Sequence, residues 1–90
     1  MRYRIELTRD ALKGIGKAHP RIRPRIRAAI DALADAPTGG SSQLLHGSLE
    51  GARRVRVGTY RIVYVPEEAT RTVYVLDVGP RGRIYRRANR

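Results

Sequence analysis

The spacing of apolar residues changes once along this chain, and that change limits the folds open to it. Before residue 44 they recur every three to four positions: Ala11, Leu12, Ile15 and Ala18, then Ile22, Ile26, Ala29, Ile30, Leu33 and Ala34. That is the period of an α-helix with one buried stripe. After residue 44 the period is two, in Arg54-Val55-Arg56-Val57 and again in Tyr60-Arg61-Ile62-Val63-Tyr64-Val65. Alternation of this kind marks a strand with one buried face. A single strand also precedes the helices, where Tyr3, Ile5 and Leu7 alternate with Arg2, Arg4 and Glu6.

The breaks between these segments follow from residue chemistry. Thr8 and Asp10 are both suitable N-caps for the first helix, Gly14 and Gly16 weaken it, and His19-Pro20 interrupts it. The second helix is expected to begin near residues 22–24, where Pro24 fits a first turn, and to be ended by Pro37; residues 38–42 read as a loop. Gly58-Thr59 joins two alternating runs as a hairpin turn. Residues 66–70 are expected to turn the chain again, and residues 71–78 to form a strand with Val73, Val75 and Asp77 on one side. Gly79-Pro80 should break that strand, leaving Arg83-Ile84-Tyr85-Arg86 as a short last strand or an ordered tail. The order predicts an α+β fold: an N-terminal strand, a helical hairpin, then an antiparallel meander packed on the helices. Ninety residues suffice for one core, so residues 1–90 are expected to form a single domain.

Charge narrows the function. Nineteen Lys and Arg stand against eight Asp and Glu, a formal charge of +11, and all the cations except Lys13 and Lys17 are arginine. The planar guanidinium matches pairs of phosphate oxygens, so a nucleic-acid backbone is the natural partner. There is no cysteine, which excludes disulfides and cysteine-ligated zinc. No apolar run approaches the roughly 20 residues that span a bilayer, and Met1-Arg2-Tyr3-Arg4 leads into no signal-peptide core. The cytoplasm is the expected location, with no membrane partner. There is no Ser-His-Asp set, no phosphate-cradling glycine loop and no metal-ligand cluster, so neither metal nor cofactor is expected. His19 reads as a turn residue and His46 as a loop or structural residue; Asp77 reads as the partner of a neighbouring arginine.

What remains is a constellation in the C-terminal half. Arg54 and Arg56 lie two apart on one strand and therefore share a face. Arg61 follows across the tight turn, Arg81 follows Gly79-Pro80, and Tyr85 comes soon after. In an antiparallel sheet these side chains converge, and converging guanidiniums repel unless an anion sits among them. A phosphate fits that need.

The runs Leu44-Leu45-His46-Gly47, Arg54-Val55-Arg56-Val57-Gly58-Thr59-Tyr60-Arg61-Ile62-Val63-Tyr64 and Val78-Gly79-Pro80-Arg81, with Tyr85, resemble the RelE/ParE superfamily of bacterial toxins. The resemblance covers nearly the whole chain. It implies the toxin component of a toxin–antitoxin system, with an acidic, partly disordered antitoxin as partner. Within the superfamily, RelE-type members are endoribonucleases that cut mRNA in the ribosomal A site and so inhibit translation, whereas ParE-type members poison DNA gyrase. The RelE pattern implies Arg61, Arg81 and Tyr85 as catalytic residues and Arg54 and Arg56 as substrate-binding residues. All five positions carry suitable chemistry, which favours the mRNA interferase. One departure stands out: the RelE pattern has lysines where this chain has Arg54 and Arg56. An arginine does not release its proton, so neither serves as general base, and Tyr85 is left as base or stacking platform. A gyrase inhibitor and a non-catalytic nucleic-acid-binding module are the alternatives.

Overall fold

The computed structural model describes residues 2–40, 42–45 and 51–80. In chain order the elements are β1 (Arg4–Leu7), α1 (Arg9–Lys17), α2 (Arg23–Leu33), β2 (Gln43–Leu44), β3 (Arg53–Val57), β4 (Tyr60–Glu67) and β5 (Thr72–Pro80). They form a sheet in the order β1-β5-β4-β3-β2. From β3 to β5 the sheet is the expected antiparallel meander, and the two-residue β2, which the sequence reading did not anticipate, joins it antiparallel to β3. β1 adds to its far edge in parallel with β5, pairing Ile5 with Val73 and Leu7 with Val75. The architecture is α+β, with both helices on one face.

Thr8 is the N-cap of α1. Its Oγ1 accepts from the Ala11 amide at 3.2 Å and donates to the Leu76 carbonyl at 2.9 Å, so one hydroxyl starts the helix and ties it to β5. Asp10 instead sits in the first turn, where a negative charge suits the helix dipole. At the other end the Arg23 guanidinium donates to the carbonyls of Ala18 (3.0 Å) and Gly16 (2.7 Å), satisfying acceptors the helix leaves unpaired. α2 takes Pro24 in its first turn and closes at Leu33, ahead of Pro37, because the Ala34 amide bonds to the Ala32 and Asp31 carbonyls and tightens the last turn. Arg2 bridges Asp31 and Asp35, each at 3.0 Å, fastening the residues before β1 to α2.

The core lies between the helices and one sheet face. Ala11, Ile15 and Ala18 of the first helical segment meet Ile26, Ile30 and Leu33 over Val57, Ile62, Tyr64, Val73, Val75 and Val78. Leu12, expected in the apolar stripe, is instead 56% exposed. Tyr64 is fully buried, and its hydroxyl donates to the Pro37 carbonyl beside Ser42 Oγ, which in turn accepts from Arg53 Nε at 2.8 Å. A polar cluster under the sheet rim thus anchors the connection that leaves α2.

Three strand boundaries differ from expectation. Pro66 and Glu67 do not turn the chain; they extend β4 opposite Val73 and Thr72. Proline is tolerated there because β3 pairs no further along β4 than Tyr64, so no strand calls on the missing N–H from that side. The turn falls at residues 68–71, with Arg71 at φ 52° and its guanidinium over the Tyr3 ring at 5.9 Å. Gly79 and Pro80 do not break β5 but continue it opposite Arg61 and Tyr60. Finally, Val63 pairs with Asp77 and Tyr64 with Val75, so Leu76 is an extra, unpaired residue in a β-bulge. The bulge switches the alternation: Val73, Val75 and Val78 all reach the core, and Asp77 lands on the opposite face rather than beside Val75.

Gly14 is where α1 touches β5. A Cβ there would stand 1.9 Å from the Val78 carbonyl oxygen, whereas a Cβ on Gly16 would meet nothing within 4 Å. The two glycines, alike in sequence, should behave oppositely. Gly14→Ala is expected to destabilise by about 1–3 kcal/mol through overpacking. Gly16→Ala should stabilise by about 0.5–1 kcal/mol through helix propensity. Urea unfolding of the two variants checks both signs.

Candidate nucleic-acid interface

Register alone decides which side chains share the face turned away from the helices. Residues directly opposite in a sheet point the same way. Arg56 lies opposite Arg61, and Arg61 opposite Gly79, which makes one row across β3, β4 and β5. The adjacent row runs Gln43, Arg54, Val63, Asp77 across β2 to β5. Their neighbours Val57, Ile62 and Val78 point into the core. Three guanidiniums and one carboxylate therefore occupy a patch two rows deep.

The turn that brings Arg56 and Arg61 together is tight. φ is positive at Gly58 (57°) and not at Thr59, the pattern of a type II′ hairpin whose twist matches its strands. A Cβ at Gly58 would also sit 3.2 Å from the Ile22 side chain, so this turn rests on the start of α2. In the second row Arg54 Nη2 donates to Gln43 Oε1 at 2.5 Å, holding that guanidinium toward the β2 edge. Val63 is only 2% exposed although, among the described residues, no helix covers this side, and it lies between Arg54 and Asp77 in the row.

Of the five expected site residues, the structure brings Arg54, Arg56 and Arg61 onto one face. Arg81, Tyr85 and His46 lie outside the described residues. His19 is an exposed turn residue whose Nδ1 accepts from the Arg21 amide at 3.1 Å. Gln43 and Val63 were not legible as part of this surface. Asp77 was read as an arginine partner, but its face depends on a bulge that no local pattern announces. Among the described residues no helix is long and apolar enough to cross a membrane, and no group of three or more His, Asp or Glu side chains is placed to hold a metal ion.

A second surface lies across the molecule. β1, α1 and α2 enclose a groove of about 410 Å³, walled by Ile5, Leu7, Leu12, Ile15 and Ile30 with Arg23, Arg27 and Asp31 among its polar lining. The exposed Leu12 lines this groove.

The sheet thus has one face on a helical hairpin and the other carrying clustered arginines. The family model of the ParE toxin of the type II toxin–antitoxin system, parDE, matches residues 5–85, and the chain belongs to that family. No curated protein matches the sequence. Among solved structures, the chain is similar to one in the toxin–antitoxin complex RelBE2 of Mycobacterium tuberculosis, at 29% identity and a TM-score of 0.79, covering 90% of this chain and 100% of that one. It shares its fold with a chain of the archaeal RelE–RelB complex of Pyrococcus horikoshii OT3, at 24% identity and a TM-score of 0.77 over 93% and 100% of the two chains. The same holds for the intact E. coli RelBE toxin–antitoxin complex, at 20% identity and a TM-score of 0.75 over 90% and 99%.

Like charges at directly opposed strand positions destabilise a sheet. Arg56→Gln should therefore raise stability by about 0.2–1 kcal/mol at low ionic strength, and the gain should shrink in molar salt as the repulsion is screened. Parallel urea titrations at the two salt concentrations measure it.

Proposed function

We propose that this toxin is a metal-independent endoribonuclease that cleaves mRNA on the ribosome. The observation that carries the proposal is the pairing of Arg56 with Arg61, with Arg54 one pleat away, on a face that no helix covers among the described residues. Such a cluster suits a phosphodiester, because phosphoryl transfer is catalysed mainly by positioning and by stabilising charge on the phosphate oxygens. In the reaction the 2′-oxygen attacks the adjacent phosphorus, the bond from phosphorus to the 5′-oxygen breaks, and a 2′,3′-cyclic phosphate and a 5′-hydroxyl result. A base takes the 2′ proton and an acid returns one to the leaving oxygen. Arg61 and Arg81 hold the scissile phosphate, while Arg54 and Arg56 hold the flanking backbone. Tyr85 serves as base or stacking platform, with the ribosome supplying mRNA alignment. No cofactor takes part.

A second reading is favoured by the family itself. Membership among ParE toxins supports a DNA gyrase inhibitor without chemistry of its own. Mapping RNA 5′ ends after the purified protein meets translating ribosomes, alongside a gyrase supercoiling assay, separates the two. Under the nuclease reading Arg61→Ala and Arg81→Ala each lower cleavage by about 10²–10³ and leave supercoiling untouched. Intact mRNA with inhibited supercoiling establishes the gyrase inhibitor. Salt-sensitive RNA binding with neither effect leaves a plain binding module.

The chain acts as a single toxin domain in the cytoplasm, bound by a cognate acidic antitoxin; the RelE–RelB and RelBE complexes above support that partner. Its net charge of +11 favours fast association with an acidic chain. The apolar groove between β1 and the hairpin suits a helix or strand of that antitoxin. Leu12→Glu should weaken antitoxin binding by at least about tenfold, the 1.4 kcal/mol that a buried leucine anchor readily exceeds. It should spare the fold, since Leu12 is outside the core cluster. Calorimetric titration with the antitoxin and a thermal melt test the two halves.

A further inference from the structure

Tyr74 stands apart from the other described tyrosines. Tyr64 is in the core, and Tyr3 and Tyr60 pack against it. Tyr74 lies between the core residues Val73 and Val75, so its ring is on the opposite face, the one that carries Arg54, Arg56 and Arg61. It is 36% exposed there, although β5 is paired on both sides by β4 and β1. Its hydroxyl makes no hydrogen bond with a described residue, so nothing internal to the described chain calls for a tyrosine at this place.

The face is sorted along its strands. At the hairpin end Arg56 opposes Arg61, and Arg56 is exposed with no ion pair to a described residue. Past the row of Val63 and Asp77 comes a row of Val65, Tyr74 and Glu6, then one of Glu67, Thr72 and Arg4. From Arg61 to Val65 is four residues of β4, about 13 Å at roughly 3.3 Å per residue. The far end therefore sets two carboxylates against one guanidinium around an open aromatic ring, where the near end is rich in cations. An anion is drawn to the near end and gains little at the far one. A flat ring gains at the far end, since every nucleobase has a π-face that stacks on an aromatic side chain. A chain that joins phosphates to stacking rings matches both ends at once, and single-stranded RNA is such a chain.

We infer that Tyr74 is a substrate-binding residue that stacks a nucleobase of the RNA whose phosphates the arginines hold. The inference rests on the endoribonuclease reading above. The spacing assigns the stacked base to a neighbour of the nucleotide at Arg61, so Tyr74 fixes the register of the strand and takes no part in bond breaking.

The test reads binding apart from turnover. Short 2′-O-methyl oligonucleotides lack the hydroxyl that attacks, and an abasic chain with the same phosphates lacks only the rings. Wild-type protein should bind the base-bearing chain about tenfold more tightly than the abasic one, and its Tyr74 ring-proton signals should move upfield with the first alone. Tyr74→Leu should erase the difference while binding the abasic chain as the wild type does; Tyr74→Phe and Tyr74→Trp should keep it. Equal wild-type affinities for the two chains overturn the inference, as do unmoved Tyr74 signals or a Tyr74→Leu variant that still prefers the bases. If a thermal melt shows that Tyr74→Leu does not fold, the wild-type ring signals and the Tyr74→Phe and Tyr74→Trp affinities decide the matter. Should the wild-type protein leave mRNA intact on translating ribosomes, the endoribonuclease reading fails by itself. The titration then still decides whether Tyr74 stacks a base.

Discussion

The pairing of β4 on both of its sides is the constraint from which the rest of this toxin follows. β3 and β5 lock its pleat from Tyr60 to Tyr64, and the pleat sends Tyr60, Ile62 and Tyr64 one way and Arg61 and Val63 the other. Slipping β3 by one residue would exchange its core-facing valines for arginines, and slipping β5 would exchange buried valines for residues such as Tyr74 and Asp77. The hydrophobic effect that holds the core therefore also fixes the charged face. The core and the arginines use opposite sides of the same strand.

Besides packing over Ile62 and Tyr64, the helices act on that strand through β5 and the hairpin turn. Gly14 lets α1 settle against the Val78 carbonyl, Thr8 binds the Leu76 carbonyl, and Gly58 rests against Ile22 at the head of α2. These contacts bracket the bulge on one side and the Arg56–Arg61 turn on the other. A helical hairpin that never reaches the arginine face thus governs how its rows are spaced. The like-charged pair on that face works against stability, a pattern expected where a surface is shaped for an anion rather than for folding alone.

Much of the fold was legible because its signals are local. The 3.6 and 2 periods gave the helices and strands, Gly58-Thr59 gave the hairpin, and Pro24 gave the opening of α2. Where expectation failed, a distant partner decided. Pro66 stays in β4 because β3 has already stopped, and Gly79 and Pro80 stay in β5 because Arg61 and Tyr60 remain to be paired. Leu12 falls off the core because nothing in β1 or α2 closes over it.

By itself the sequence determined which side of each strand is apolar, that Arg54 and Arg56 share a face, and that Arg61 returns beside them. Each is a consequence of pleat geometry within one strand or one tight turn. Tertiary structure alone decided that β1 runs parallel on β5 and that Asp77 joins the arginines. Both depend on hydrogen-bond register between segments far apart in the chain, and a single unpaired residue in one strand is enough to reverse a face that the local pattern assigns.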